Sequence, residues 1–332
     1  MLGSFFRKFD ISTERVERDG LDTDGAAPLG PYCSLEWLMG LRWQANKLSL
    51  PKAKRASRPQ SGMHHSRFRG RGMEFSEVRH YQPGDDVRSI DWRVTARRQT
   101  PHTKLFNEER ERPVMLICDQ SQSQFFGSQL TFKSVRAAEC TALFAWTTLT
   151  HNDRVGGIVF SESGHQEIKP ARNRKTILRL LNTVCDFNHS LSIDGHDQDA
   201  AFSLDDALTE TIRVSRPGTL IVLISDFHQI SEDTEKRLAR LAQHNELLMI
   251  RTFDPLEDQL PLPGHFPVSN GEDTIMIDAS TKHTRDAYAR WANDHHARLQ
   301  EISIRCRAHL IDISTHQSPL LALQQVLQNL GK

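Results

Sequence analysis

The chain of 332 residues contains no apolar run long enough to cross a bilayer, which excludes a membrane-spanning helix from the reading. It also has no net charge, with 42 Lys and Arg against 42 Asp and Glu, so bulk electrostatics supply no pull toward nucleic acid. Five cysteines (Cys33, Cys118, Cys140, Cys185, Cys306) are scattered, odd in number and never in a C-x-x-C pair. No H-x-x-x-H pair stands beside them, so zinc spacing is missing and the thiols read as reduced core residues of a cytoplasmic protein. The adjacent pairs His64-His65 and His295-His296 do not face one way on a helix. A G-x-S-x-G nucleophile elbow and a phosphate-binding Walker loop are both lacking, and Gly70-Arg71-Gly72 is too short for a nucleotide fingerprint. The amino terminus carries acids after a very short apolar patch, which is not the pattern of a secretory signal.

Charged residues at 25% and aromatics at 7% place the chain among ordinary globular proteins of one or two domains. Residues 1–33 read as a mobile leader. Residues 34–112 read as an amino-terminal helix, a basic linker and a small β-rich insert, and residues 113–332 as one α/β domain. Between Trp37 and Met73 there are nine Lys or Arg and no Asp or Glu, so the tract 42–71 is a candidate contact for a membrane surface, RNA or an acidic partner. In the insert, strands are expected at Glu74–Tyr81, Ser89–Thr95 and Lys104–Glu109. Gln82-Pro83-Gly84-Asp85 has the proline and glycine that a type II turn requires.

From Val114 onward strands and helices alternate. Strands are expected at Val114–Cys118, Arg154–Phe160, Thr219–Ser225, Glu246–Phe253, Thr274–Ile277 and Ala308–Ile313. Helices are expected at Phe132–Thr150, Arg174–Cys185, Leu204–Val214, Glu232–His244, Arg285–Ile304 and Pro319–Leu330. This order predicts a doubly wound, mostly parallel sheet flanked by helices.

Two of the fully apolar strands end in acids, Asp119 and Asp226, and a parallel sheet delivers both carboxylates to the same edge. Asp119 opens the string Asp119-Gln120-Ser121-Gln122-Ser123. Taken alone, that spacing suits a helix cap. With Asp226 it suits a hard cation such as Mg²⁺ (Mn²⁺ or Ca²⁺ as alternatives) held by Asp119, Ser121, Ser123 and Asp226. A metal-dependent phosphoester hydrolase is the enzymatic alternative, although no general base or second ligand set stands out.

The D-x-S-x-S string, Ile224-Ser225-Asp226-Phe227 and the βα alternation resemble a von Willebrand factor A domain with its adhesion-type metal site. The upstream residues Arg79, Tyr81, Pro83, Gly84, Asp85, Asp86, Arg88, Asp91 and Trp92 lie in Tyr81-Gln82-Pro83-Gly84-Asp85-Asp86-Val87-Arg88-Ser89-Ile90-Asp91-Trp92. That segment is similar to the signature of the domain of unknown function 58 family. Asp153-Arg154-Val155-Gly156 and Asp254-Pro255-Leu256-Glu257 fit the same family. The resemblance implies a non-enzymatic binding module working with a MoxR-type AAA+ ATPase in chaperone-like remodelling of a client protein. It departs from the pattern at Phe202, which falls where the metal site usually has Thr, leaving the neighbouring Ser203 as the candidate substitute. The charges of the upstream segment are expected to lock the insert, with Trp92 as its core anchor, or else to form a docking surface.

Overall fold

A computed structural model describes residues 30–50, 73–108, 112–192, 202–260, 263–269 and 274–330. The tract from Lys52 to Arg71, with most of the basic segment, lies outside the described residues, as does the leader up to 29. The elements in chain order are α1 (Leu35–Gly40), α2 (Arg42–Ala45), β1 (Met73–His80), α3 (Trp92–Arg98), β2 (His102–Glu108), β3 (Val114–Asp119), α4 (Lys133–Thr150), β4 (Val155–Ser161), β5 (Gly164–Ala171) and α5 (Arg174–Ser190). They continue with α6 (Leu204–Val214), β6 (Leu220–Ser225), α7 (Glu232–Ala242), β7 (Glu246–Phe253), α8 (Pro255–Asp258), β8 (His265–Ser269), β9 (Thr274–Asp278), α9 (Lys282–Arg305), β10 (His309–Ser314) and α10 (Pro319–Leu330). The chain divides into two compact units, residues 54–111 and the remainder.

The larger unit is built on a six-stranded sheet ordered β10-β7-β6-β3-β4-β5. Every neighbouring pair is parallel except β4 with β5. The expected doubly wound, mostly parallel sheet is therefore the one found. The central strands are apolar on both faces because both faces are covered. Along β3, Val114, Leu116 and Cys118 join the core beneath α1, α4, α5 and α10, while Met115 and Ile117 join the core beneath α6, α7 and α9. β6 divides in the same way, Leu220, Val222 and Ile224 against Ile221 and Leu223. Helix α4 is buried nearly all round, as its Ala, Cys, Phe and Trp composition requires. All five cysteines are buried free thiols.

The segment Leu35–Leu48, which the sequence grouped with the insert, packs instead into the sheet unit. Leu38, Leu41, Ala45 and Leu48 join its core, and Trp146 Nε1 donates to Leu38 O at 3.0 Å. Two strands escaped the sequence. β5 is a polar edge strand with Pro170 near its end, paired antiparallel after the turn at Gly164, whose φ is 131°. β8 pairs antiparallel with β9, so the strand expected at Thr274–Ile277 lies outside the main sheet.

In the smaller unit β1 and β2 pair antiparallel. The expected turn is present, with Asp85 N donating to Gln82 O at 3.0 Å and Gly84 at a φ of 108°. Asp85 accepts from Arg79 at 2.8 Å and from Gln82 N at 2.9 Å, and the Tyr81 hydroxyl donates to Asp85 O at 3.3 Å. The Gln82 amide, with the Arg79 guanidinium, holds the Asp85 carboxyl below its usual range against the opposing effect of desolvation. Asp86 caps a short 3₁₀ turn over Val87–Ser89 by accepting from Arg88 N.

The strand expected at Ser89–Thr95 is not formed. Asp91 accepts from Arg93 N at 3.0 Å and Val94 N at 3.2 Å, which caps α3 and commits the following residues to a helix. Trp92 is 67% exposed, so the expectation of a core anchor is corrected. As the first residue of a capped helix it is directed by the backbone rather than by its own hydrophobicity. Trp92→Ala is expected to change unfolding free energy by no more than about 0.5 kcal/mol in urea denaturation. A loss of about 3 kcal/mol, the cost of truncating a core Trp, would restore the anchor.

Candidate functional site

Because the central strands run parallel, their carboxyl ends place Asp119, Glu162, Asp226, Asp254 and Thr315 in the loops along one edge. Asp119 closes β3 and is 3% exposed. Its Oδ1 accepts from Ser121 N at 2.9 Å, and its Oδ2 accepts from the Ser225 hydroxyl at 2.5 Å. The Ser121 and Ser123 hydroxyls lie 3.1 Å apart. Gln122 N donates to both oxygens of Glu162, at 2.8 and 3.0 Å, which pins the loop to the end of β4. Helix capping does not account for this string. The next long helix, α4, begins only at Lys133, and its N-cap Phe132 makes no side-chain bond.

Asp226 follows β6 and is 8% exposed. Phe227, fully buried, follows it at a φ of 53°, a left-handed conformation that Phe adopts only when its surroundings impose it. Asp226 Oδ1 accepts from His228 N at 3.0 Å, and Oδ2 accepts from Lys133 Nζ at 2.9 Å. The same ammonium donates to Glu257 Oε1 at 2.5 Å.

These contacts separate the two carboxylates electrostatically. Burial and the nearby charge of Asp226 push Asp119 up to about 7. Burial acts on Asp226 in the same direction, but the Lys133 ammonium, the charge of His228 and the hydrogen bonds from both together outweigh it and bring the carboxyl down to about 2. Burial would lower Lys133, yet the charges of Asp226 and Glu257 raise it above its usual range. Asp119 is thus a buried acid in need of positive charge, and Asp226 already has it.

The Ser203 hydroxyl, the candidate metal substitute, is engaged at the start of α6. It donates to Asp206 at 2.7 Å and accepts from Asp206 N at 3.3 Å, completing the capping box of α6. Phe202 stacks on His165 with ring centroids 4.5 Å apart, and its backbone N donates to Glu162 O. Among the described residues, no group of three or more His, Cys, Asp and Glu is placed to hold an ion. The oxygen donors fit an ion held by Asp119, the two serine hydroxyls and water. They do not fit one held by both aspartates, because Lys133 has claimed Asp226.

The sequence reading missed Lys133 and Glu162, and placed Ser225 and Glu257 only in family strings. Lys133 shares α4 with Arg136 and Glu139, so nothing in the sequence singled it out. Beside Asp226, a cleft of about 490 Å³ is lined by His228, Ser231, Trp291 and His295 among others. Burial, with the charge of His228, holds His295 below its usual range, while Trp291 lies parallel to it with ring centroids 6.2 Å apart.

Residues 77–298 match the family model described as "Protein of unknown function DUF58". The chain belongs to this family. Over 255 residues, 76% of this DUF58 chain and 78% of its relative, it is 29% identical to "Uncharacterized protein Rv1480" of Mycobacterium tuberculosis H37Rv. Among solved structures it is similar to the conserved hypothetical protein BatB from Bacteroides thetaiotaomicron, at 15% identity and a TM-score of 0.41, covering 66% of this chain and 98% of that one. It is also similar to a von Willebrand factor type A protein from Catenulispora acidiphila, at 10% identity and a TM-score of 0.35, covering 70% and 44%. The fold of the DUF58 chain is the doubly wound, mostly parallel sheet expected, with the D-x-S-x-S loop at the carboxyl end of a central parallel strand. Among the described residues no helix is long and apolar enough to cross a membrane.

Proposed function

We propose that this DUF58 protein is a non-enzymatic protein-binding module that recognises an acidic residue of its partner through a divalent cation at Asp119, Ser121 and Ser123. Mg²⁺ is the natural occupant, with Mn²⁺ or Ca²⁺ as substitutes, since every donor is oxygen. The observation that carries the reading is the loop geometry. A buried carboxyl pushed up to about 7 by burial and the charge of Asp226 stands two and four residues from a pair of hydroxyls 3.1 Å apart. An ion there supplies the missing positive charge and keeps coordination positions for water or an incoming carboxylate.

Binding is favoured over phosphoester hydrolysis because both aspartates are fixed acceptors, Asp119 of Ser121 N and Ser225, Asp226 of His228 N and Lys133. Neither is placed as a free general base. The family resemblance supplies the partner, a cytoplasmic MoxR-type AAA+ ATPase with which the protein remodels or assembles a client. Pull-down of that ATPase by the full chain is expected to fall about tenfold or more with Asp119→Ala, and equally with EDTA on the wild type. Equal recovery in all three conditions would remove the cation bridge.

A further inference from the structure

We propose that Lys133 is a resident cation of the carboxyl edge, its ammonium binding Asp226 and Glu257 in the place a divalent ion would take. The inference goes beyond the partner reading above and stands without it.

The argument begins with the ammonium. Lys133 Nζ lies 2.9 Å from Asp226 Oδ2 and 2.5 Å from Glu257 Oε1, and the side chain is 1% exposed. An ion bridging the same two oxygens would occupy nearly the same point, since Ca²⁺ sits about 2.3–2.6 Å from its ligands. The lysine is the first residue of α4, where the helix dipole disfavours positive charge, so the two acids must hold it there.

Each acid reserves one oxygen for the lysine and fixes the other on backbone. Asp226 Oδ1 accepts from His228 N at 3.0 Å, and Glu257 Oε2 accepts from Asp254 N at 3.0 Å. One ammonium therefore ties together the loop after β6, the turn after β7 and the start of α4. A covalently attached cation neither dissociates nor follows metal concentration, so these loops are organised with or without divalent ions. Any metal dependence of the protein is left to Asp119 and the serines.

The test is thermal unfolding of the full chain in EDTA and in excess MnCl₂, in the Asp119→Ala background so that ions at Asp119 do not enter. Asp119→Ala alone is expected to unfold at the same temperature in both buffers. Adding Lys133→Ala leaves the buried Asp226 and the partly buried Glu257 facing an emptied position, and should lower the midpoint in EDTA by about 10 °C. MnCl₂ should recover at least half of that loss. Adding Lys133→Met instead, which fills the space without charge, should lower the midpoint with no recovery.

The proposal is overturned by a MnCl₂ shift in Asp119→Ala alone, by no loss on adding Lys133→Ala, or by a loss that MnCl₂ does not restore. Should that double variant not fold in EDTA, folding in MnCl₂ supports the proposal, and failure to fold in both buffers overturns it. Partner pull-down reads the Asp119 cation bridge separately, so either idea can fail alone.

Discussion

Asp254→Ala is expected to lower the unfolding free energy by about 4 kcal/mol, measured by urea denaturation. The carboxylate is fully buried and accepts from three elements at once. Ser128 N in the loop after β3 donates to Oδ2 at 2.8 Å, and the Thr315 hydroxyl after β10 donates to the same oxygen at 2.6 Å. Leu256 N at the start of α8 donates to Oδ1 at 3.0 Å. Alanine leaves these three donors, two buried and one partly buried, without their acceptor, each costing up to about 1–3 kcal/mol, and the total is tempered by local relaxation. Asp254→Asn keeps the shape and one acceptor oxygen, so about half the loss is expected. A loss under about 1 kcal/mol for the alanine variant would mean that the three bonds are not made together.

Gly156→Val is the second large effect, a loss of about 3 kcal/mol read as a fall of about 10 °C in the midpoint of thermal unfolding. A Cβ at Gly156 would meet Ile168 O at 2.5 Å and Pro170 N at 2.6 Å, both backbone atoms of β5 that cannot rotate away. The β4–β5 register shifts between Val155 and Gly157, and the close approach sits at that irregularity. Valine forces the edge strand outward from the sheet. Unchanged stability would show that β5 moves freely, contrary to the packing of Ile168 in the core.

Much of the sheet was legible because its central strands are covered on both faces. Apolar strings such as Leu220–Ser225 have no alternative reading once helices alternate with them. β5 was illegible for the opposite reason. Among the described residues one of its edges is unpaired, and it carries His165, Gln166, Glu167 and Lys169, polar residues that do not announce a strand. The insert shows a different limit. Ser89–Thr95 alternates well enough for a strand, but a single aspartate at Asp91 satisfies two amides and turns the segment helical. Trp92 then follows the helix outward.

The site divides along the same line. The sequence by itself determined that Asp119 and Asp226 reach one edge, because two apolar strands in a parallel sheet can end nowhere else. It also placed Ser121 and Ser123 beside Asp119, since alternate positions in a tight loop are neighbours. Only the tertiary structure decided which carboxylate already has its cation. Lys133 stands 93 residues from Asp226 and 124 from Glu257, and no spacing rule links them. Three chain segments had to fold onto one edge before a buried ammonium could meet a buried and a partly buried acid. Pairing at such separations is set by which loops the sheet order brings together, and not by local pattern.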